Sequence, residues 1–317
     1  MTPNEKSLLI TGAAGFVGSH LVRKALQQGY SVTCLVRPSS DLWRIVDILG
    51  QVELFYCDMA LTDVKKLSER IGNVSHVFHL AAAGVNPKGH TTYSLAKENI
   101  LGTINLLQAS MNAQLARFVY FGSCFEYGVG RRINESSKIA PSSEYGLSKA
   151  TASAYVQFFS EHYNVPTTIL RPFNVYGPME SRNRLIPTVI LGMLTGKPIQ
   201  LTEGRQLRDF VHVYDAVDAC LAASSGSATL NEVLNICTGE AHSVKQVVDL
   251  IASSVDYPVE LAWGAHSYHS KEYQSLSGCP IKAESLMNWR ASIDIETGLQ
   301  QTFTWFRENY KNFSIYF

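Results

Sequence analysis

The stretch SLLITGAAGFVGSH, residues 7–20, decides the fold. Its first half is a short apolar run that stops at Gly12. Its second half opens a helical pattern, FVGSHLVRKALQQG, that closes on Gly29 as a C-terminal cap. Between the two, Gly12, Gly15 and Gly18 are spaced GxxGxxG rather than the commoner GxGxxG. Glycines at such a junction permit a tight turn and let a pyrophosphate approach the backbone, while the helix start offers N–H groups to an anion. Strand, glycine turn and helix in that order make the triplet a dinucleotide-binding signal.

The same alternation continues outward. SVTCLV (31–36), VELFYCD (52–58), VSHVFHLA (74–81), RFVYFGS (117–123) and TTILRPF (167–173) are apolar runs, separated by helical patterns around SDLWRIVDIL and over 62–70, 92–112 and 142–163. Continuously apolar strands suit a sheet covered on both faces. The expectation is an α/β, Rossmann-like, doubly wound parallel sheet over 1–175. After 175 the rhythm becomes irregular, with helices at RLIPTVILGMLTG, SVKQVVDLIASSV, IKAESLMNW and ETGLQQTFTWFRENY and strands at DFVHV, VLNICTG and VELAWG. Residues 176–317 are therefore read as a smaller α/β substrate lobe. No flexible linker separates the lobes, interleaving stays open, and a cleft between them is the natural ligand site.

Composition narrows the function. The 317 residues carry 27 basic and 27 acidic side chains, and no basic run exceeds two residues, which argues against a nucleic-acid partner. No apolar run approaches the length of a membrane span, and MTPNEKSLLITG lacks a signal-peptide core, so the chain reads as cytosolic. The six cysteines form no CxxC and read as buried thiols. His266 and His269 lack a third ligand, so no metal is expected.

The end of the second strand chooses the dinucleotide. An acid there would bond the ribose 2′-OH. Val36 stands in its place and Arg37 follows, with Ser39 and Ser40 as further donors, which favours NADP(H) and leaves NAD(H) as the alternative. Asp58 is placed to accept from the adenine amino group. The expected cofactor-facing set is Gly12, Gly15, Phe16, Val17, Gly18, Arg37, Ser39, Ser40, Asp58, Met59, Leu80, Ala81, Ala82, Tyr145, Lys149 and Pro172.

Two short segments carry the chemistry, FGSCFEYG (121–128) and YGLSK (145–149). Tyr145 and Lys149, four apart on a helix, share a face. A phenol titrates near ~10 and needs a neighbouring cation to act near neutrality. Ser123, at a strand's carboxyl end, can orient a substrate oxygen. The three suit hydride transfer between nicotinamide C4 and a carbinol carbon: Tyr145 exchanges the proton, Ser123 orients the oxygen and Lys149 tunes Tyr145.

With TGAAGFVGSH, HLAA, ENILGTINLL, SCFEYG, YGLSK, LRPFNVYGP and RDFVHVYDAVDA in place, the chain resembles the extended short-chain dehydrogenases/reductases, in the branch that modifies nucleotide-diphosphate sugars. The resemblance implies that Asn174 contacts the sugar diphosphate and that Arg208 grips a nucleotide phosphate. It also implies a homodimer through the helices at 92–112 and 142–163. Departures narrow the reaction. The Asp–Glu pair of 4,6-dehydratases is replaced by Cys124 and Phe125. The glutamate of decarboxylating members is also Phe125. Glu126 is displaced by one, to the other face of an extended segment. The second phosphate-binding arginine is absent from HSYHSKEYQ, where His269 or Lys271 could substitute. The leading expectation is an NADPH-dependent reductase of a keto group, at C4, of a nucleotide-diphosphate deoxysugar. The alternatives are a nucleotide-sugar 4-epimerase and, in another class, a non-catalytic cofactor-binding sensor or scaffold.

Overall fold

A computed structural model describes residues 6–84, 89–253, 260–268 and 274–313. The strands β1 (Ser7–Thr11), β2 (Ser31–Val36), β3 (Glu53–Tyr56), β4 (His76–His79) and β5 (Arg117–Phe121) alternate with α1 (Phe16–Gln27), a 3₁₀ helix (Trp43–Gln51), α2 (Val64–Ile71) and a composite helix. That composite runs as α3 (Thr92–Leu95), a π-helical turn (Ala96–Leu101) and α4 (Gly102–Ser110). After β6 (Gly130–Ile133) come α5 (Glu144–Tyr163), β7 (Thr167–Pro172), β8 (Asn174–Tyr176), α6 (Leu185–Thr195), β9 (Ile199–Gln200), β10 (Leu207–Arg208), β11 (Phe210–His212) and α7 (Val213–Ser224). The chain continues through β12 (Val233–Ile236), β13 (His242–Ser243), α8 (Val244–Ser253), β14 (Leu261–Ala262), β15 (Ser275–Gly278), α9 (Ile281–Met287) and α10 (Ile295–Asn309).

Among the described residues the main sheet has seven strands in the order β12-β7-β5-β4-β1-β2-β3, each pair parallel. This is the doubly wound Rossmann-like sheet. The order reverses between β1 and β4, and a ligand crevice opens where the chain switches direction. Alternation along each strand builds the two layers. Leu8 and Ile10 of β1 face Leu21, Val22 and Ala25 of α1 and the buried residues of α7. Leu9 points the other way, into a core shared with Leu67 of α2, Leu106 of α4 and Val156 of α5. Each fully buried side chain of this size contributes roughly 1.5–3 kcal/mol. The last strand, β12, comes from beyond residue 175 and pairs with β7 over Val233–Ile236.

A third core, including Ile190, Val211's neighbour Phe210, Val247 and Phe306, joins α6, α8 and α10. Beside it lies a four-stranded sheet, β13-β10-β15-β6.

Four elements differ from their sequence reading. The helix expected around SDLWRIVDIL is 3₁₀, because Leu42, Ile45 and Ile48 recur every three residues and meet the core at that period. The helix expected over 92–112 widens into its π turn, where Asn99 turns inward. Cys124–Glu126, expected to be extended, is a 3₁₀ turn: Ser123 Oγ accepts from the Phe125 amide at 3.2 Å, and Glu126 Oε1 accepts from the Ser123 amide at 2.8 Å. The strand expected at VELAWG is only Leu261–Ala262.

Candidate active site

Two cavities flank the carboxyl ends of the central strands. The first, about 360 Å³, brings together Gly12, Gly15, Arg37, Ser39, Ser40, Asp58, Met59, Leu80, Ala81 and Ala82. Phe16, Val17 and Gly18 form the first turn of α1 beside it, and Pro172 ends β7. The turn between β1 and α1 requires its glycines. Gly12 has φ +69°, and a Cβ there would lie 2.7 Å from the Ala81 amide nitrogen. A Cβ on Gly18 would strike the Gly12 carbonyl. No side chain caps the start of α1, whose N-cap is Gly15. A shallow glycine cradle at an uncapped helix start suits a pyrophosphate. At the other end Val36 is buried and Arg37 is exposed, so β2 ends without a carboxylate. These residues fit a dinucleotide.

A hydrogen-bonded plate backs this cavity. The Ala81 amide donates to Thr11 Oγ1 (3.1 Å), which meets His79 Nδ1 at 2.7 Å. His79 Nε2 meets Thr103 Oγ1 at 2.8 Å, and Thr103 donates to the Asn99 carbonyl at 2.6 Å. Since Thr103 spends its proton on that carbonyl, His79 must donate from Nε2 and accept at Nδ1. Burial drives the imidazole pKa down to about 3, so it stays neutral. Asn99 continues the chain, accepting from the Ala83 amide (2.7 Å) and donating to Ala83 O (3.0 Å) and Ser148 Oγ (2.9 Å). Ser148 in turn donates to the Tyr145 carbonyl at 2.8 Å. The cofactor wall and the helix that carries Tyr145 are thus one network. Sequence reading missed Asn99, His79 and Thr11, although ENILG and HLAA were singled out.

Ser123, Tyr145 and Lys149 come together at the carboxyl end of β5. The Ser123 and Tyr145 side chains are hydrogen-bonded to each other. Ser143 Oγ accepts from the Gly146 amide at 3.1 Å and so starts α5 just ahead of Tyr145. Lys149 is 1% exposed; its Nζ donates to Phe121 O at 2.7 Å and lies 4.3 Å over the Tyr120 ring. Burial lowers its pKa to about 8, with Glu126 acting in the opposite direction. Tyr145 departs from expectation. Burial raises its phenol pKa, and the Ser123 hydrogen bond offsets only part of that. The reason is desolvation of a phenolate inside the cleft.

Around the serine, Cys124 is 1% exposed and its thiol is pushed up to about 12, mainly by burial, so it is no acid–base group near neutrality. Glu126 is fully buried, and its Oε2 accepts from Arg171 Nε at 2.8 Å. Five of the six cysteines are buried, whereas Cys279 is half-buried. Among the described residues no group of three or more His, Cys, Asp and Glu could hold a metal ion, and no helix is long and apolar enough to cross a membrane.

The second cavity, about 410 Å³, contains two of the three expected substrate residues, Asn174 and Arg208 but not Ser123, together with Phe125 and His266. Arg208 Nη1 donates to Leu207 O at 2.9 Å. The neighbouring Asp209 does not serve as a simple surface counter-ion. It is buried, and its carboxylate accepts from the amides of Thr238 (2.9 Å), Gly239 (3.0 Å) and Gly278 (3.2 Å). His269 and Lys271, considered as a second phosphate group, lie outside the described residues. The cavity also holds Glu180 and Arg184, which sequence reading missed. They stand 3.5 Å apart, and burial holds the Glu180 carboxyl up at about 7 despite the arginine. Their loop is pinned to the cofactor side, where His20 Nε2 donates to Pro178 O at 2.9 Å and Arg44 Nε to Met179 O at 3.0 Å.

Known proteins are similar to this chain along most of its length. The chain is 31% identical over 313 residues to a putative UDP-glucose 4-epimerase of Methanocaldococcus jannaschii, covering 95% of this chain and 99% of that protein. Its structure is similar to the UDP-glucose 4-epimerase of Thermotoga maritima, solved with UDP-glucose, with a TM-score of 0.88 and 28% identity over 96% of this chain and 99% of that one. It is also similar to MoeE5, solved with UDP-glucuronic acid and NAD, with a TM-score of 0.86 and 31% identity over 95% and 99% of the two chains. The glycine cradle, the Ser–Tyr–Lys cluster and a match over residues 8–237 to the model of the NAD dependent epimerase/dehydratase family agree, and the chain belongs to that family, within the extended short-chain dehydrogenases/reductases.

Proposed function

We propose that the protein is an NADPH-dependent reductase that converts a keto group, at C4, of a nucleotide-diphosphate deoxysugar to the alcohol. The observation that carries this reading is the adenosine end of the first cavity. β2 ends there in buried Val36, followed by Arg37, Ser39 and Ser40, a set that suits a 2′-phosphate and offers no carboxylate on β2 to a ribose 2′-OH. The nicotinamide, when bound, supplies hydride to the carbonyl carbon. Ser123, hydrogen-bonded to Tyr145, orients the carbonyl oxygen and Tyr145 gives it a proton, leaving a phenolate that solvent reprotonates once the product departs. Lys149, with its ammonium anchored on Phe121 O, holds the ribose side of the site. Asn174 and Arg208 hold the sugar diphosphate in the second cavity. Similar proteins solved with UDP-sugars support a nucleotide-sugar substrate.

Among the described residues, the groups beside Ser123 support simple reduction over elimination. Cys124 is held neutral, and Glu126 is taken up by Arg171 and the Ser123 amide. Leu147 (55% exposed) and Phe158 (46% exposed) leave an apolar strip on α5, which supports pairing with a second copy.

A 4-epimerase is the second reading. It is favoured by the ion pair that Arg37 makes with Glu98, 2.6 Å, which draws the guanidinium from a phosphate, and by the NAD held in MoeE5. Purified protein with NADPH or NADH and a 4-keto-6-deoxy nucleotide sugar separates the two. Loss of reduced-nicotinamide absorbance, abolished by Tyr145→Phe, is expected. Isomerisation of a UDP-sugar by retained cofactor, with no net oxidation of added NADPH, would replace reduction by epimerisation.

A further inference from the structure

We propose that Glu98 is a specificity-determining residue for the dinucleotide: its carboxylate competes with an adenosine 2′-phosphate for Arg37 and so sets the ratio in which the two nicotinamide cofactors bind. The inference rests on reading Arg37 as the 2′-phosphate group, and goes beyond it by naming what Arg37 must leave.

Arg37 and Glu98 are 61 residues apart and come from different elements, the loop after β2 and the π turn. Both line the first cavity. Arg37 Nη1 donates to Glu98 Oε2 at 2.6 Å. The other charged groups on that wall bond to backbone rather than to Arg37. Asp41 Oδ1 accepts from the Trp43 amide (3.0 Å), Asp58 Oδ1 accepts from the Ala60 amide (3.0 Å), and Arg44 Nε donates to Met179 O (3.0 Å). Glu98 is the acid whose bond crosses to the arginine.

The π turn is what fixes it there. The next residue, Asn99, is buried and bonded to Ala83 and Ser148, so the backbone at Glu98 is anchored to the cavity wall rather than to a mobile surface loop. Single π turns recur at functional sites because the extra residue redirects side chains. The pair itself is open to water, with side chains 56% and 31% exposed. Exposed ion pairs are weak, so this one is displaceable. A 2′-phosphate, a dianion able to take a guanidinium bidentately, displaces it and meets repulsion from the carboxylate left behind. A ribose 2′-OH does neither. Glu98 therefore penalises the phosphorylated cofactor selectively.

The test is calorimetric titration of the full chain, freed of retained nucleotide, with 2′,5′-ADP and with 5′-ADP. Glu98→Gln is expected to tighten 2′,5′-ADP by about two- to fivefold, the scale of an exposed pair, and to leave 5′-ADP within about twofold. Arg37→Ala is expected to weaken 2′,5′-ADP by about tenfold or more, and Glu98→Gln added to it to tighten that ligand by less than it does in the wild type, since only the repulsion is left to relieve. If Arg37→Ala weakens 2′,5′-ADP but Glu98→Gln changes neither ligand, or both equally, the role of Glu98 is refuted while the reading of Arg37 stands. If Arg37→Ala leaves both ligands unchanged, the 2′-phosphate reading fails and takes this inference with it. Glu98→Ala, which must reproduce Glu98→Gln, guards against an effect of the amide itself.

Discussion

Replacing Glu126 by Gln tests how Ser123 is held. The carboxylate has two jobs, accepting from the Ser123 amide at 2.8 Å and from Arg171 Nε at 2.8 Å. Arg171 is 4% exposed, and its Nη1 donates to Tyr127 Oη at 2.8 Å, which in turn bonds Asn235 Oδ1 at 2.9 Å. An amide keeps the bond to Ser123 but leaves the guanidinium without its counter-charge. Removing one partner of a buried pair costs about 3–5 kcal/mol. Unfolding entropy of about 2.1 cal/mol/K per residue over 317 residues gives about 0.67 kcal/mol/K. The melting temperature should therefore fall by about 4.5–7.5 °C. Adding Arg171→Met removes the stranded charge and should recover at least half of that, because pairs replaced by apolar groups are often neutral in stability. Scanning calorimetry on the three proteins at one concentration measures both effects. A Glu126→Gln protein that melts within about 1 °C of the wild type, or a double variant less stable than the single, would refute the assignment.

Three further outcomes are expected. Burial lowers the pKa of His20 to about 4, His79 to about 3 and His212 to about 4. The unfolded chain takes up these protons near 6.5 and the folded one does not, so stability is lost as pH falls from about 6.5 toward 4; the acid limb of a melting-temperature profile should flatten in His79→Gln. Lys149 titrates near 10.5 unfolded and about 8 folded, so the folded state is penalised below about 8 and relieved as pH rises toward 10.5. Over that window wild type should gain stability relative to Lys149→Met, and a constant difference between the two melting curves would contradict the shift. Gly12→Ala forces a Cβ to 2.7 Å from the Ala81 nitrogen at φ +69°; it should lower the melting temperature by several degrees and abolish the rise produced by NADPH, as read by dye-based thermal shift.

The sheet was legible because its signal is local. Strands such as SLLIT and TTILRP are apolar on both faces, and Gly12 and Gly29 mark the turns that join them to α1. The Ser–Tyr–Lys cluster was legible because two of its members lie on one helix face and the third ends a strand. What sequence could not show depends on long-range pairing. Asn99 and His79 look like ordinary polar residues until Thr11, Thr103 and Ala83 are brought around them. Arg37 looked like an unopposed phosphate ligand until the π turn placed Glu98 against it. The rise in the Tyr145 pKa was also out of reach, since it arises from enclosure by residues distant in the chain.

The late arrival of β12 has a consequence for biogenesis. Until Val233–Ile236 has been synthesised, β7 is the outer margin of a parallel sheet, with unpaired amides and carbonyls along Thr167–Arg171. A nascent chain emerging from a ribosome would carry that sticky margin for some sixty residues of elongation. A product cut near residue 175 would keep it permanently, so the first half expressed alone should aggregate where the intact chain stays dispersed.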